Sequence, residues 1–372
     1  MATKGQAALE VEQAYARARA LCVQIGETPQ LFPTLRGLCR FYQSHGPLST
    51  ARELGEQLYR LAQRATATTP RLEAHDALGT TLFLLGEYPA ARMHLEQGVA
   101  LTDPAAQRAL VLRHGVVPGV RCLALAAGTL WCLGYPEQAV QRSQEAVALA
   151  QALTHPQSLA YAQHVAAFVY HYRREVLEVQ SRAEDLLTLA TAQGLPLWVG
   201  HGTCWQGWAL AIHGQGAVGL TQMHRAVAAV LATGQSLSQP YQLVLLAEAA
   251  GYTGQVEEGL RWLAEALRAF EASGRGDTLT EAYRLQGELL LRQATPDATR
   301  AEVCFQQALS VARRQQAKSY ELRAAMSLTR LWRQQGERDE AYALLAPLYG
   351  WFTEGFDTAD LQEAKALLED LS

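Results

Sequence analysis

The sequence predicts an all-α protein built as an array of stacked helix pairs, and three observations lead to this class. Alanine and leucine supply 63 and 57 of the 372 residues, whereas isoleucine occurs twice. This bias favours helices and argues against a large sheet. A helix–turn–helix pattern also recurs along the chain, and proline or glycine residues mark many of the gaps between its units.

The repeating unit is clearest at residues 84–101, which read LLGEYPAARMHLEQGVAL. The turn residue Gly86 is followed five residues later by the small residue Ala91. The same spacing recurs in the pairs Gly46 and Ala51, Gly134 and Ala139, Gly214 and Gly219, Gly254 and Gly259, and Gly336 and Ala341. Turns are predicted near residues 46, 86, 134, 173, 214, 254, 296 and 336, about 40 residues apart except for 48 between the second and third. The pattern therefore predicts eight helix pairs.

These units resemble the tetratricopeptide repeat (TPR), in which a turn glycine and a small residue allow two helices to pack closely. The family period is 34 residues, so each unit here is about six residues longer. The resemblance implies a right-handed α-solenoid whose units contact their sequence neighbours. We therefore expect a single elongated superhelix over residues 1–372.

The two ends of the chain differ from the repeats. Residues 8–25 form one amphipathic stretch that is predicted to be an orphan N-terminal helix. The eight units occupy residues 30–356. Residues 358–371 are predicted to form a capping helix with Glu363, Glu369 and Asp370 facing solvent.

The C-terminal part carries a more particular resemblance. The segments are AYRLQGELLLR at 282–292, QAKSYELRAAMSLTRLWRQQGERDEAYALLAPLYGW at 316–351 and PYQLVLLAEAAGYTGQVEEGL at 240–260. They are similar to the end of bacterial proteins that join a class III adenylate or guanylate cyclase, or a kinase, to a signalling ATPase and a long TPR array. The resemblance implies a regulatory role with a protein or peptide partner, including a neighbouring ATPase or cyclase domain. Whether the chain is a fragment of such a polypeptide or a split gene stays open.

Several function classes are disfavoured by the sequence. It has no GxxxxGK[ST] loop and no GxSxG elbow, so we expect no catalytic activity. The net charge of −4 argues against nucleic-acid binding, and no apolar run is long enough to span a membrane. His201 and Cys204 lie three residues apart but lack further metal ligands, so neither a metal nor another cofactor is expected. Six scattered cysteines fit a cytoplasmic protein.

The candidate binding surface follows from the TPR resemblance, which places certain first-helix positions on the concave face. In the middle units these positions give an aromatic zone with polar points: Trp131, Tyr170, His171, His201, Trp208, Tyr241, Glu248 and Tyr252. In the last unit they give a basic end: Arg323, Arg330 and Arg333. Aromatic and arginine side chains are frequent anchors of binding surfaces. The alternative is that the rings fill the core, and the sequence leaves both interpretations open.

Three functional hypotheses fit these observations. The first is a non-catalytic module that binds a protein or peptide, with the basic end attracting an acidic partner. The second is an effector sensor in which the aromatic groove takes a small ring-bearing metabolite. The third is a regulatory part of a larger cyclase or kinase polypeptide.

Overall fold

The computed structural model describes residues 9–25, 30–112 and 114–372, and every regular element in these ranges is a helix. Eight helix pairs follow one another, with an additional helix at each end, so the predicted fold class is confirmed. The predicted start of the N-terminal helix, residue 8, lies outside the described residues.

We call the first helix of each pair an inner helix and the second an outer helix. The inner helices are α2 (Leu31–His45), α4 (Thr68–Leu85), α7 (Pro118–Leu133), α9 (Pro156–Tyr172), α11 (Pro196–Ile212), α13 (Gln239–Tyr252), α15 (Leu279–Leu291) and α17 (Lys318–Gln335). The outer helices are α3 (Leu48–Ala62), α5 (Tyr88–Ala100), α8 (Pro136–Ala152), α10 (Val176–Ala192), α12 (Gly216–Ala232), α14 (Val256–Ser273), α16 (Ala298–Gln315) and α18 (Arg338–Tyr349). The remaining elements are α1 (Leu9–Ile25), α6 (Pro104–Arg108), a 3₁₀ turn at Ser236–Ser238 and α19 (Ala359–Leu371).

Most turns inside the pairs form where the sequence predicts them, because a residue with positive φ ends the inner helix; the turn of the seventh pair, between Leu291 and Ala298, has no such residue. Gly86, Gly134 and Gly336 have φ angles of 77°, 98° and 91°, which glycine adopts without steric cost. In the fourth unit the turn residue with positive φ is Arg174, at 63°. The second and third turns are 48 residues apart, more than the other turns, because α6, an additional short helix, lies between the two pairs.

Small residues allow the two helices of a pair to pack closely. Ala91 and Ala139, five residues after their turn glycines, are fully buried. Gly219 takes this position in the fifth pair, where an added Cβ would lie 2.3 Å from the backbone oxygen of Gly207. The spacing read from the sequence therefore marks real helix crossings.

The superhelix closes on itself. The Tyr88 hydroxyl donates to the backbone oxygen of Asp277 at 2.5 Å, across 189 residues. The backbone N–H of Gly276 donates to the carbonyl of Leu84 at 2.8 Å, and α7 packs directly against α17. The expectation that units contact neighbouring units alone is therefore wrong, because the superhelix turns until its last pairs meet its second, third and fourth.

Closure explains why α7 is buried along its whole length. Each of its residues from Pro118 to Leu133 is buried, including Arg121, whose guanidinium bonds both carboxylate oxygens of Asp76 at 2.6 and 2.7 Å. A helix that is apolar on all sides belongs in a core. Among the described residues, no helix combines the length and apolar character needed to cross a membrane.

Candidate functional site

A cavity of about 360 Å³ opens on the inner side of the last three pairs. The inner helices α13, α15 and α17 form its walls, and α19 closes one end. Arg174, from the turn between α9 and α10, reaches the cavity beside α19. We call this cavity the inner pocket. It exists because closure brings the fourth pair against the C-terminal helix.

The inner pocket is lined by charged groups of both signs. Its arginines are Arg174, Arg284, Arg292, Arg323 and Arg330. Its carboxylates are Glu248, Glu288, Asp360 and Glu363. The remaining lining is short or apolar, except for the ring of Tyr252, whose residue is 55% exposed.

A buried carboxylate, Glu281, anchors the arginines at the back of the pocket. Arg284 bonds it at 2.6 and 2.9 Å, and Arg323 lies 3.5 Å from it. Burial alone would raise the pKa of Glu281, but the adjacent Arg284 and Arg323 outweigh burial and lower it to about 2. The carboxylate is therefore ionised throughout the neutral range.

The other arginines of the pocket also have carboxylate partners. Arg323 donates to Asp360 at 2.7 Å, and Arg330 donates to Glu363 at 2.7 Å. Arg174 bonds the other oxygen of Glu363 at 2.6 Å, which joins the fourth unit to α19.

Glu288 completes this network from α15. It accepts from Arg284 at 2.9 Å and lies 3.5 Å from Arg292, which also donates to the backbone oxygen of Gly251. The Ser327 hydroxyl donates to Glu288 at 2.8 Å. The network holds three inner helices and α19 in a fixed relation around the cavity.

Glu248 differs from the other pocket carboxylates because its partners are aromatic. Its Oε2 accepts from His171 Nε2 at 2.7 Å and from Trp208 Nε1 at 2.9 Å. Burial would raise the pKa of Glu248, and His171 beside it outweighs that effect and lowers it. The buried residues His171 and Trp208 therefore hold the carboxylate of Glu248 in place at the pocket.

Of the two interpretations that the sequence leaves open, the structure supports the core, and an open aromatic strip is not present among the described residues. The buried members are Trp131, Tyr170, His171, His201, Trp208 and Tyr241. Closure of the superhelix covers Trp131, which stacks on Tyr172 at 4.5 Å with the guanidinium of Arg323 above its ring. Trp208 is covered by the neighbouring pairs, through His171 and Glu248. Of the predicted aromatic-zone residues, Glu248 and Tyr252 line the inner pocket.

The predicted basic end is divided. Arg323 and Arg330 line the inner pocket, whereas Arg333 lies outside it and bonds Asp370 at 2.6 Å. Each of these arginines is paired with a carboxylate, so the expected attraction for an acidic partner loses its basis. The expectation that the capping helix turns its carboxylates to solvent is confirmed for Glu369 and Asp370, which are exposed, whereas Glu363 is half-buried. Glu363 and Asp370 each also bond an arginine of α17.

Sequence reasoning missed Arg174, Asp360 and Glu363 as pocket residues. Arg174 occupies a turn, and the other two lie in the terminal helix, so neither position belongs to the concave pattern of a repeat. The role of Arg174 depends on closure, because its partner Glu363 lies 189 residues later, and no local signal in the sequence reports that contact. Within the described ranges, no group of three or more His, Cys, Asp or Glu residues is arranged to hold a metal ion.

Comparisons with known proteins show the fold. No family model and no curated protein matches the chain. The crystal structure of Rap protein complexed with competence and sporulation factor superposes with a TM-score of 0.59 and 10% identity, over 98% of this chain and 97% of that chain. Aspartyl phosphate phosphatase F from Bacillus subtilis gives a TM-score of 0.49 at 13% identity, over 91% and 90%.

A third solved structure is the signal transduction ATPase with numerous domains from Pyrococcus horikoshii, which carries a tetratricopeptide repeat sensor. Its TM-score is 0.42 at 14% identity, and the match covers 97% of this chain and 55% of that one. The eight pairs, their turn geometry and the superposition on Rap protein lead to one conclusion: this chain has the fold of a tetratricopeptide-like helical repeat protein.

Proposed function

We propose that this chain is a non-catalytic regulatory module that binds a short peptide in the inner pocket. The observation that carries the proposal is the convergence of charged groups from α13, α15, α17, α19 and the turn after α9 on one cavity. Its volume of about 360 Å³ lies within the ~300–1,000 Å³ range of ligand sites.

The chemistry of the lining favours a peptide over a small ring-bearing metabolite. The rings expected to stack on such a metabolite are buried, whereas the pocket presents carboxylates, guanidiniums and one accessible aromatic ring. A peptide offers backbone donors and acceptors together with charged ends, which match these groups.

The fold comparison supports a binding role by analogy. The solved structure that superposes over 98% of this chain is a complex of Rap protein with the competence and sporulation factor. At 10% identity the likeness concerns the fold, so the argument for function rests on the pocket itself.

We further propose that the module serves a bacterial signalling ATPase or cyclase system. The support is the sequence resemblance over residues 240–260, 282–292 and 316–351. The genomic neighbourhood tests this part, because an ATPase or cyclase domain encoded upstream in the same frame or operon is expected. A neighbourhood without any such gene contradicts it.

Peptide binding is tested by affinity selection with the full chain. A synthetic pool of peptides of four to six residues is incubated with the protein, and retained peptides are identified by mass spectrometry after gel filtration. We expect a defined set to be retained, and Tyr252→Ala to weaken their binding by about fivefold or more.

The matched control is Tyr342→Ala, which removes an exposed tyrosine from the outer helix α18 and should leave binding unchanged. The proposal fails when the wild-type protein retains no peptide. It also fails when both tyrosine variants bind the peptides equally well.

A further inference from the structure

Among the described residues, one carboxylate oxygen of Glu248 has no hydrogen-bond partner. Both described donors, His171 Nε2 and Trp208 Nε1, contact Oε2. Within the described part of the chain no donor reaches Oε1, and that atom is not sealed from solvent. The side chain is 13% exposed and lines the inner pocket, so Oε1 is open to a donor that enters there.

The charge distribution in the pocket singles out the same residue. The three other lining carboxylates each contact at least one arginine, and each lining arginine contacts a carboxylate. The positive charge of each lining arginine is therefore already offset by a carboxylate and is not left over for an incoming anion. Glu248 alone among the described lining carboxylates has no arginine in direct contact. Its ion-pair partner is His171, which lowers its pKa and keeps it ionised.

Tyr252 adds a second feature suited to a cation. It follows Glu248 by one helical turn on α13, so both side chains face the same side of that helix. Its half-exposed ring lies at the pocket, and the face of a tyrosine ring attracts cations.

We propose that the inner pocket recognises a primary ammonium group of its ligand through Glu248 Oε1, with the ring of Tyr252 alongside. This inference rests on the proposed function, and it names the chemical group of the ligand that the pocket recognises. An ammonium fits better than a guanidinium, because a guanidinium pairs with both oxygens of a carboxylate and Oε2 already accepts two hydrogen bonds. The ammonium belongs to a peptide amino terminus or to a lysine side chain.

The test uses four pools of short synthetic peptides with the full chain. The first pool has free amino termini and no Lys or Arg. The second is the same pool N-acetylated. The third and fourth are N-acetylated and carry one Lys or one Arg, respectively. Affinity selection and mass spectrometry measure retention of each pool.

We expect the protein to retain the first pool, the third pool, or both, at least ~10-fold more than the second pool. The second pool has no free amine, and a factor of this size is expected for the loss of one charged hydrogen bond. Retention of the first identifies the amino terminus as the source, and retention of the third identifies lysine. Because acetylation changes the ligand alone, this comparison does not depend on how a variant folds.

Glu248→Gln should abolish the preference for the free amine. The matched control is Glu302→Gln, which alters another glutamate that accepts from a tryptophan indole, Trp332, away from the pocket. Control protein should keep the preference.

Two results overturn the inference while leaving peptide binding intact: equal retention of the first three pools, or retention of the arginine pool alone. Retention of no pool by the wild-type protein overturns the proposed function as well.

Discussion

The Ser319 hydroxyl donates a hydrogen bond to the backbone oxygen of Trp131, 188 residues earlier in the chain. Both residues are buried, and they belong to α17 and α7, the inner helices of the eighth and third pairs. The contact therefore lies on the seam where the superhelix closes.

Ser319→Ala should destabilise the protein by about 1–3 kcal/mol, because it leaves a buried carbonyl without its donor. Urea unfolding of the two proteins measures the difference. Ser310→Ala, on an exposed position of α16, is the matched control and should change the stability by less than about 0.5 kcal/mol. Equal stabilities of wild type and Ser319→Ala would show that the seam contact contributes nothing.

Trp208→Ala should lower the stability of the folded protein. The residue is 3% exposed, and its indole N–H donates to Glu248. Removing a buried ring of this size costs about 3–5 kcal/mol, so a large fall in the unfolding midpoint is expected. A Trp208→Ala protein with wild-type stability would contradict the burial of this ring and restore the interpretation of an open aromatic groove.

Ala139→Leu should overpack the crossing between α7 and α8. Ala139 is fully buried five residues after Gly134, and the added side chain should cost about 1–3 kcal/mol. Ala148→Leu, on an exposed position of the same helix, should be nearly neutral. Thermal melts compare the pair. Equal melting temperatures would remove the small-residue argument for this unit.

Acidification should destabilise the protein through His201. Burial, reinforced by Arg275, lowers the pKa of His201 from an ordinary 6.5 to about 4, so the folded state binds this proton less readily than the unfolded state. The stability that neutral His201 contributes is present above pH 6.5 and is lost as the pH falls toward 4. The loss between pH 7 and pH 5 should be about 2 kcal/mol.

Urea unfolding at the two pH values measures this loss. His201→Gln removes the titrating group and should make the decline with acid shallower by about that amount. An identical pH dependence of the variant and the wild-type protein would mean that His201 titrates normally in the fold.

The sequence predicts the local features well, because they depend on residues close together in the chain. Turn glycines such as Gly86 are required by a left-handed backbone, and small residues such as Ala139 are required by a close helix crossing. Both requirements fix a spacing between the turn glycine and the small residue, and this spacing can be read directly from the sequence.

The closed seam and the inner pocket could not be predicted in the same way. Whether Trp131 lies in a groove or in a core depends on the rotation accumulated along the array, because Tyr320 and Arg323 of the eighth pair cover its ring. The pairing of Arg174 with Glu363 is a consequence of that rotation. No local residue pattern encodes it. The expected attraction of the basic end for an acidic partner failed for a different reason, because Arg330 and Arg333 pair with Glu363 and Asp370 of the neighbouring helix α19.

The long separation across the seam also bears on how the chain reaches its structure during synthesis. Helix pairs can stack on their predecessors as they leave the ribosome, because their contacts are local. The bond from Ser319 to Trp131 must wait until the eighth pair has emerged, and closing so large a loop carries an entropic cost that neighbouring contacts do not. Trp131 and the other rings that the seam covers therefore stay uncovered on the nascent chain until its final pairs are made.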